Sequence, residues 1–267
     1  MTRVKAGELH LNAVDKGEGE PVLFIPGLMG LLNAWDFQIP YFSKKYRCIS
    51  FDHRGTGESD KPKNAYSTEL IAQDAVKLLD VLKIEKAHVV GTSTGGCVLQ
   101  NLALDYPDRL RSCIFTNTWT KADAYMTRLQ TSRKQIVQAY GTEEYIKFSS
   151  LWTCGATQFH HMYENLLALE ERQKKSIAPI EVLVARLDMT LAHNRKDELK
   201  KIDTPSLIIA AKDDALTPLY FAQELHGLIK GSEFAILEEG GHYSYRRSHN
   251  EWNSLANSFL SKIEAIS

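Results

Sequence analysis

The stretch Gly91-Thr92-Ser93-Thr94-Gly95 has the form G-x-S-x-G. It follows an apolar run at 87–90 that is typical of a buried strand, and residues 94–105 have the pattern of a helix. At such a junction the serine hydroxyl projects above the sheet, and side chains in place of the glycines would collide with backbone. The motif predicts a nucleophilic Ser93, with the Thr94 N–H directed at an oxyanion. Its strand–helix context disfavours the alternative, a glycine-rich turn with a solvated serine.

Short apolar runs alternate with amphipathic helical segments on both sides of this motif. Continuous apolar runs of this length are typical of strands that are buried on both faces of a parallel sheet. The alternation predicts an α/β fold with a mostly parallel central sheet of about eight strands flanked by helices. Active sites of such sheets lie at the carboxyl ends of the strands. The strand-like runs are 8–14, 21–25, 47–51, 87–90, 110–115, 206–211 and 233–237.

The alternation stops between residues 120 and 203, where no strand-like run occurs and Pro179 is the only proline. This segment predicts several helices in series, inserted after the sixth strand of the sheet. Because the insertion leaves from the carboxyl end of a strand, we interpret it as a lid over the active site. The predicted core is therefore formed by residues 1–119 and 204–267, and the predicted cap by residues 120–203.

A serine nucleophile needs a base, which is normally a histidine oriented by a carboxylate. In a strand–helix fold of this kind the acid and the histidine follow the serine along the chain. His242 follows the last predicted strand and two glycines, so it is the candidate base. Asp213 and Asp214 both follow the preceding predicted strand, and either could be the acid. Asp214 is favoured because it begins a D-x-x-T-P sequence whose Pro218 can open the next helix. Asp213 would then be solvated or would bind the turn.

The loop after the first central strand is expected to supply a second oxyanion donor. In this loop the N–H of Leu28 is the first candidate and that of Met29 is the alternative. Trp119 follows a strand and is a candidate pocket wall, although packing under the lid is an equally good interpretation. The side chains expected to line a substrate pocket are Met29, Trp119, Trp152 and Tyr243.

Composition limits the classes of function. The chain has 267 residues, 32 Lys and Arg and 33 Asp and Glu, so it lacks the basic excess of a nucleic-acid binder. No apolar run reaches the length of a membrane span, and the first residues do not resemble a signal peptide. The four separated cysteines are expected to be free thiols, which indicates a reducing compartment and a cytoplasmic protein. A small-molecule substrate is expected, with no nucleic-acid or membrane partner, and a homodimer is compatible with the sequence.

Five ordered motifs resemble those of the α/β-hydrolase fold superfamily over nearly the whole chain. The resemblance implies a triad of Ser93, Asp214 and His242, and it implies no metal or organic cofactor. The motifs are the Pro26-Gly27 loop, Asp52-His53-Arg54-Gly55-Thr56-Gly57-Glu58-Ser59, Gly91 to Gly95, Asp214 to Pro218, and Gly241-His242.

Three segments look most like the branch of 3-oxoadipate enol-lactonases and aminoacrylate hydrolases: Pro26-Gly27, the stretch from Phe51 to Gly57, and Asn117-Thr118-Trp119. Pro26 stands where the family usually has histidine, and Thr92 is a second departure from many relatives. The branch acts on small carboxylate-bearing lactones or enamines, so a cation in the lid is expected to bind the substrate. The candidates are Arg128, Arg133, Arg186 and His160, whereas Arg246 and Arg247 are expected at the surface.

The sequence thus predicts a serine hydrolase that cleaves a small carboxylic ester, lactone or related acyl compound through an acyl-enzyme. A serine at the nucleophile position argues against the dehalogenases and epoxide hydrolases of this superfamily, which use a carboxylate. The same triad would serve a carbon–carbon bond hydrolase of vinylogous diketones. A ligand-binding receptor and a cofactor-independent oxygenase on the same fold are further alternatives.

Overall fold

A twisted sheet of eight strands forms the centre of the computed structural model, which describes residues 2–63 and 66–266. The spatial order is β1-β2-β4-β3-β5-β6-β7-β8. In this order, every pair of neighbouring strands from β4 to the β8 edge is parallel. β2 is antiparallel to both β1 and β4. The prediction of a mostly parallel sheet is confirmed. The strands are β1 (Thr2–Ala6), β2 (Leu9–Lys16), β3 (Pro21–Ile25), β4 (Arg47–Phe51), β5 (Ala87–Thr92), β6 (Leu110–Thr116), β7 (Ser206–Ala211) and β8 (Glu233–Leu237).

The α-helices lie on both faces of the sheet and in one long insertion. They are α1 (Ile39–Phe42), α2 (Thr68–Val81), α3 (Thr94–Asp105), α4 (Ala124–Thr153), α5 (Ala156–His161), α6 (Tyr163–Ser176), α7 (Ile180–Ala192), α8 (Leu219–Leu228), α9 (Ser244–Arg247) and α10 (His249–Glu264). Ser67 caps α2, because its hydroxyl accepts a hydrogen bond from the Leu70 N–H. α4 is broken at Gly141, where φ is 82° and the helical geometry is lost. No helix among the described residues is both long and apolar enough to cross a bilayer.

Two apolar layers bury the faces of the sheet. On one face, α2, α3 and α8 pack against the central strands, with α2 contributing Ile71, Ala75 and Leu78. On the other face, the apolar stripe of α10 packs against Trp35 and the sheet, as its sequence periodicity predicts. Because both faces are covered, the central strands are buried throughout their length, which explains their continuous apolar sequences.

Helices α4 to α7 form the insertion after β6, in agreement with the predicted helical lid. A separate apolar cluster holds it to the core: Leu28, from the loop after β3, packs against Leu183 and Leu187 of α7. The exact boundaries of core and cap stay a prediction.

The first strand, β1, was not predicted: it is mostly exposed, alternates weakly, and is held as an edge strand by its register with β2.

Candidate active site

Ser93 lies at the sharp turn between β5 and α3. Its φ and ψ are 54° and −123°, a conformation that side-chain-bearing residues rarely adopt. Its N–H donates to the Thr116 carbonyl oxygen at 2.9 Å, which ties the turn to β6. A Cβ at Gly91 would lie 2.3 Å from the Gly95 carbonyl oxygen, and one at Gly95 would lie 2.2 Å from the Ile25 carbonyl oxygen. The motif glycines are therefore required by close backbone contacts. Thr94 is the first residue of α3, so its N–H has no hydrogen-bond acceptor within the helix.

A buried hydrogen bond joins the predicted base to the predicted acid. His242 Nδ1 lies 2.9 Å from Asp214 Oδ2, and the Asp214 side chain is fully buried. The other carboxylate oxygen, Oδ1, accepts hydrogen bonds from the backbone N–H groups of Leu216 and Thr217 at 2.8 and 2.9 Å. With both oxygens occupied, the carboxylate is held in one orientation. It can fix the imidazole tautomer that carries its proton on Nδ1 and leaves Nε2 as the base.

The neighbouring carboxylate has a different set of partners. Asp213 accepts hydrogen bonds from the N–H groups of Gly241 at 2.8 Å and Gly240 at 3.3 Å. It therefore stabilises the turn that carries His242, and Asp214 is the carboxylate that contacts the His242 ring. This arrangement matches the second role that the sequence allowed for Asp213.

Two buried polar residues that were given no role from the sequence complete this network. The Thr217 hydroxyl donates to Asp214 Oδ2 at 2.6 Å and lies 3.2 Å from His242 Nδ1. The Asn117 amide donates to the carbonyl oxygens of Gly241 and His242 and accepts from the Ala211 N–H. Asn117 has a φ of 45°, which asparagine tolerates better than most residues. The threonine of D-x-x-T-P and an asparagine directly after a strand were the available signals.

The loop after β3 faces the serine. A Cβ at Gly27 would lie 3.2 Å from Ser93 Cβ and 3.6 Å from Ser93 Oγ, so this loop is in close contact with the nucleophile. The Gly30 N–H donates to the Gly27 carbonyl oxygen at 2.9 Å and closes a turn around Leu28 and Met29. Neither the Leu28 N–H nor the Met29 N–H has an acceptor among the described residues. Both amides are thus free to donate to a ligand.

A cavity of about 410 Å³ lies between this edge of the sheet and the insertion. Six of the predicted site residues line it: Leu28, Met29, Ser93, Thr94, His242 and Tyr243. Trp119 and Trp152 do not line it, contrary to expectation. Trp119 is fully buried in an apolar cluster with Met126 and Leu216, which was the alternative interpretation, and Trp152 packs beside this cluster.

The candidate cations of the lid have separate positions. Arg133 is buried and lines the cavity, whereas Arg128 and His160 are exposed and do not line it. Arg186 is completely buried, lies outside the cavity lining, and donates hydrogen bonds to the Leu28 carbonyl oxygen. Arg246 was expected at the surface, but it is half-buried, lines the cavity and donates to the carbonyl oxygens of Asn33 and Ala34.

Other reactive groups are placed away from this cavity. Burial raises the pKa of all four thiols, and that of the Cys48 thiol to about 12. His88 and His193 are buried among neutral partners, and burial lowers the pKa of each to about 4. Within the part of the chain that the structure describes, no three His, Cys, Asp or Glu side chains cluster as metal ligands.

Comparison with known proteins gives consistent results. The family model described as "alpha/beta hydrolase fold" matches residues 20–246. A protein of Azorhizobium caulinodans named "Putative carbamate hydrolase RutD" is 30% identical over an alignment of 267 positions, which covers 99% of this chain and 100% of that protein.

Two solved structures have the same architecture. The N-acyl homoserine lactone degrading enzyme Est816 is 27% identical, with a TM-score of 0.86 and coverage of 97% of this chain and 100% of that chain. The enol-lactonase of Burkholderia xenovorans LB400 is 22% identical, with a TM-score of 0.89 and the same coverage, and supports the fold alone.

Proposed function

This chain belongs to the α/β-hydrolase fold family and is a hydrolase, and we propose that it cleaves a small carboxylate-bearing ester, lactone or related acyl compound through a covalent Ser93 intermediate. The observation that carries the proposal is the hydrogen bond between the buried Asp214 and His242, which lines the same cavity as Ser93. A base, its orienting carboxylate and a serine at a helix N-terminus are the parts that nucleophilic acyl transfer requires.

In the proposed mechanism His242 Nε2 accepts the proton of the Ser93 hydroxyl as the serine oxygen attacks the substrate's acyl carbon. The Asp214 carboxylate stabilises the imidazolium that forms. The Thr94 N–H and an N–H of the loop after β3, from Leu28 or Met29, donate to the oxyanion. His242 then protonates the leaving group, and a water activated by the same imidazole hydrolyses the acyl-enzyme.

The carboxylate preference follows from the surroundings of Arg133. Its guanidinium donates to Gln130 Oε1 at 2.8 Å, to the Tyr145 hydroxyl at 2.7 Å and to Ser149 Oγ at 3.2 Å. It also lies over the Tyr145 ring, 5.1 Å from the centroid. All of these partners are neutral, and all of them line the cavity that holds Ser93.

A buried charge with neutral partners is unusual, because burial of an ion is costly unless a counter-ion compensates it. Arg133 is only 5% exposed, and no carboxylate oxygen of the described residues lies within 4.0 Å of it. Its planar fork of donors matches a carboxylate, which can accept two parallel hydrogen bonds. A substrate carboxylate would therefore supply a counter-charge in direct contact with Arg133, since the buried Glu170 carboxylate of the same cavity binds Ser150 and lies more than 4.0 Å from Arg133.

The relatives support an acyl substrate without deciding which one. The Azorhizobium protein is named for carbamates and Est816 for acyl homoserine lactones. Carbamates and lactones share an acyl carbon bonded to an oxygen or nitrogen leaving group, which an attacking serine can displace.

The test is turnover of p-nitrophenyl acetate by the wild type and by Ser93→Ala, combined with labelling by a fluorophosphonate. We expect the wild type to release p-nitrophenol and to carry one phosphonyl group on the peptide that contains Ser93. Ser93→Ala should lose both the turnover of the ester and the phosphonyl label, while its circular dichroism and thermal midpoint stay those of the wild type.

The matched control is Ser150→Ala, because this second serine lines the same cavity and should leave the Ser93 label in place. Unchanged turnover in Ser93→Ala would refute the proposal. A wild type that is neither labelled nor active would favour a binding protein. Hydrolysis of a ring-cleavage dienone in preference to an ester would favour the carbon–carbon hydrolase.

A further inference from the structure

Arg186 of α7 connects the helical insertion to the loop after β3. The guanidinium is completely buried. Its Nε and Nη2 donate to the Leu28 carbonyl oxygen at 2.9 and 2.7 Å, and its Nη1 donates to the Arg54 carbonyl oxygen at 3.2 Å. Nη2 also lies 3.0 Å from His53 Nδ1. A charged lid residue is thus committed to backbone groups of the core and not to the cavity.

The surroundings are built to admit this side chain. A Cβ at Gly30 would lie 2.7 Å from Arg186 Nη2, and Gly30 has a φ of 68°. The guanidinium can only donate, so His53 Nδ1 accepts and the His53 ring is neutral. Burial and the adjacent Arg186 charge hold the pKa of His53 well below its usual value. Burial also lowers the pKa of Arg186 to about 10, so Arg186 remains a cation at neutral pH.

The consequence for the loop follows from the planarity of the peptide bond. The Leu28 carbonyl and the Met29 N–H belong to one planar unit, so holding the carbonyl oxygen also fixes the direction of the Met29 N–H. The preceding unit, which carries the Leu28 N–H, is fixed by the hydrogen bond from Gly30 to the Gly27 carbonyl. The Leu28 side chain is itself packed against α7.

We propose that Arg186 is a positioning residue of the loop after β3, here called the oxyanion loop. Through Arg186 the insertion sets the geometry of the loop N–H groups that bind the transition-state oxyanion. This inference rests on the proposed function. It holds whether Leu28 or Met29 is the donor, because both belong to the turn that Arg186 anchors. Preorganised amides are effective because they need no rearrangement when charge develops, and a loose loop would lose that advantage. Arg186 therefore acts on the transition state and little on ground-state binding.

The test compares Arg186→Met and Arg186→Lys with the wild type on p-nitrophenyl acetate. We expect Arg186→Met to lower kcat roughly 100-fold, the scale of a misplaced or lost oxyanion donor, while KM changes less than about threefold. Arg186→Lys can keep one hydrogen bond to the Leu28 oxygen, so its kcat should lie between that of the wild type and that of Arg186→Met. The affinity for butylboronic acid, which forms a tetrahedral adduct with the serine, should fall in parallel with kcat.

Arg195→Met is the matched control. Arg195 follows α7 and binds Asp105 and Asn101 of α3, so its loss also loosens a contact with the core. It does not contact the oxyanion loop, and its kcat should stay within threefold of the wild type.

The inference is overturned if folded Arg186→Met and Arg186→Lys retain wild-type kcat. It is also overturned if KM changes in step with kcat, or if Arg195→Met loses kcat equally. Should Arg186→Met fail to fold, the kcat and boronate affinity of Arg186→Lys decide the question. A wild type without activity overturns the proposed function and this inference together, whereas an active wild type with unaffected variants overturns this inference alone.

Discussion

Replacing Arg133 by Met should remove the preference for carboxylate-bearing substrates and leave the hydrolysis of neutral esters nearly unchanged. The methionine side chain keeps much of the length and removes the charge. Two unit charges about 4 Å apart interact by about 4 kcal/mol at an effective dielectric constant of about 20. Because the substrate carboxylate must also lose water, we expect a net effect of about 2–3 kcal/mol, in the range of charged hydrogen bonds. At about 1.4 kcal/mol per factor of ten, this is about 30-fold to 150-fold.

The assay compares kcat/KM for monomethyl succinate and for methyl 4-methylpentanoate, which has a neutral branched end of similar shape. Acid release is followed in a pH-stat at neutral pH. The ratio of the two values should fall about 30-fold to 150-fold in Arg133→Met, with the neutral ester changed less than threefold. Arg133→Lys should recover part of the ratio, because it restores the charge without the planar fork.

Arg128→Met is the control on the same helix, since Arg128 is exposed and does not line the cavity. It should leave the ratio at the wild-type value, which separates a placed cation from the general field of the lid. The role of Arg133 in binding a substrate carboxylate is refuted if folded Arg133→Met has a ratio within threefold of the wild type. It is equally refuted if both esters lose activity to the same extent.

Three further predictions concern the acid, the buried histidines and the motif glycines. Asp214→Asn should lower kcat about 10⁴-fold in steady-state assays, because His242 loses the carboxylate that fixes its tautomer, whereas Asp213→Asn should lower kcat less than tenfold. Burial lowers the pKa of His193 to about 4, so its contribution to stability is complete above pH of about 6.5 and is lost as the pH falls towards 4. Urea titrations should show that His193→Gln lacks this loss, which amounts to up to about 1.4 kcal/mol per pH unit. Gly95→Ala would bring Cβ to 2.2 Å from a backbone oxygen of β3 and should cost about 3 kcal/mol or more in urea unfolding, whereas Gly227→Ala in α8 has open space and should be neutral or stabilising.

The identity of the nucleophile turn could be read from the sequence because its constraints are local. The residues that would collide with a side chain at Gly91 lie four and five positions away. A side chain at Gly95 would collide with the end of β3, which is distant in the chain. The sequence still shows this constraint, because the motif has glycine, the residue without a side chain, at that position. The alternation of buried runs and amphipathic helices likewise predicted a parallel sheet, since burial on both faces leaves its mark on every central strand.

The polar edge of the sheet was less predictable. The register of β1 with β2 supplies backbone hydrogen bonds that need no apolar pattern, so the exposed sequence of β1 carried little signal. The position of Trp119 was also ambiguous, because a residue just past a strand can face the cavity or the layer of helices, and packing against Met126 decided it.

The sequence by itself determined which chemical groups this protein possesses and roughly at which strand ends they lie. Only the tertiary structure decided which of two adjacent carboxylates contacts His242, and that Arg133 lines the cavity whereas Arg186 does not. Asp213 and Asp214 follow the same strand, but their side chains have different partners in the turn at 240–242. The Asp213 carboxylate accepts a hydrogen bond from the Gly241 N–H, and the Asp214 carboxylate contacts the His242 ring. Arg133 and Arg186 are both buried lid cations, yet one has neutral partners in the cavity and the other binds the Leu28 carbonyl. These choices depend on contacts between residues far apart in the chain, and side-chain direction across such distances is set by packing and not by local pattern.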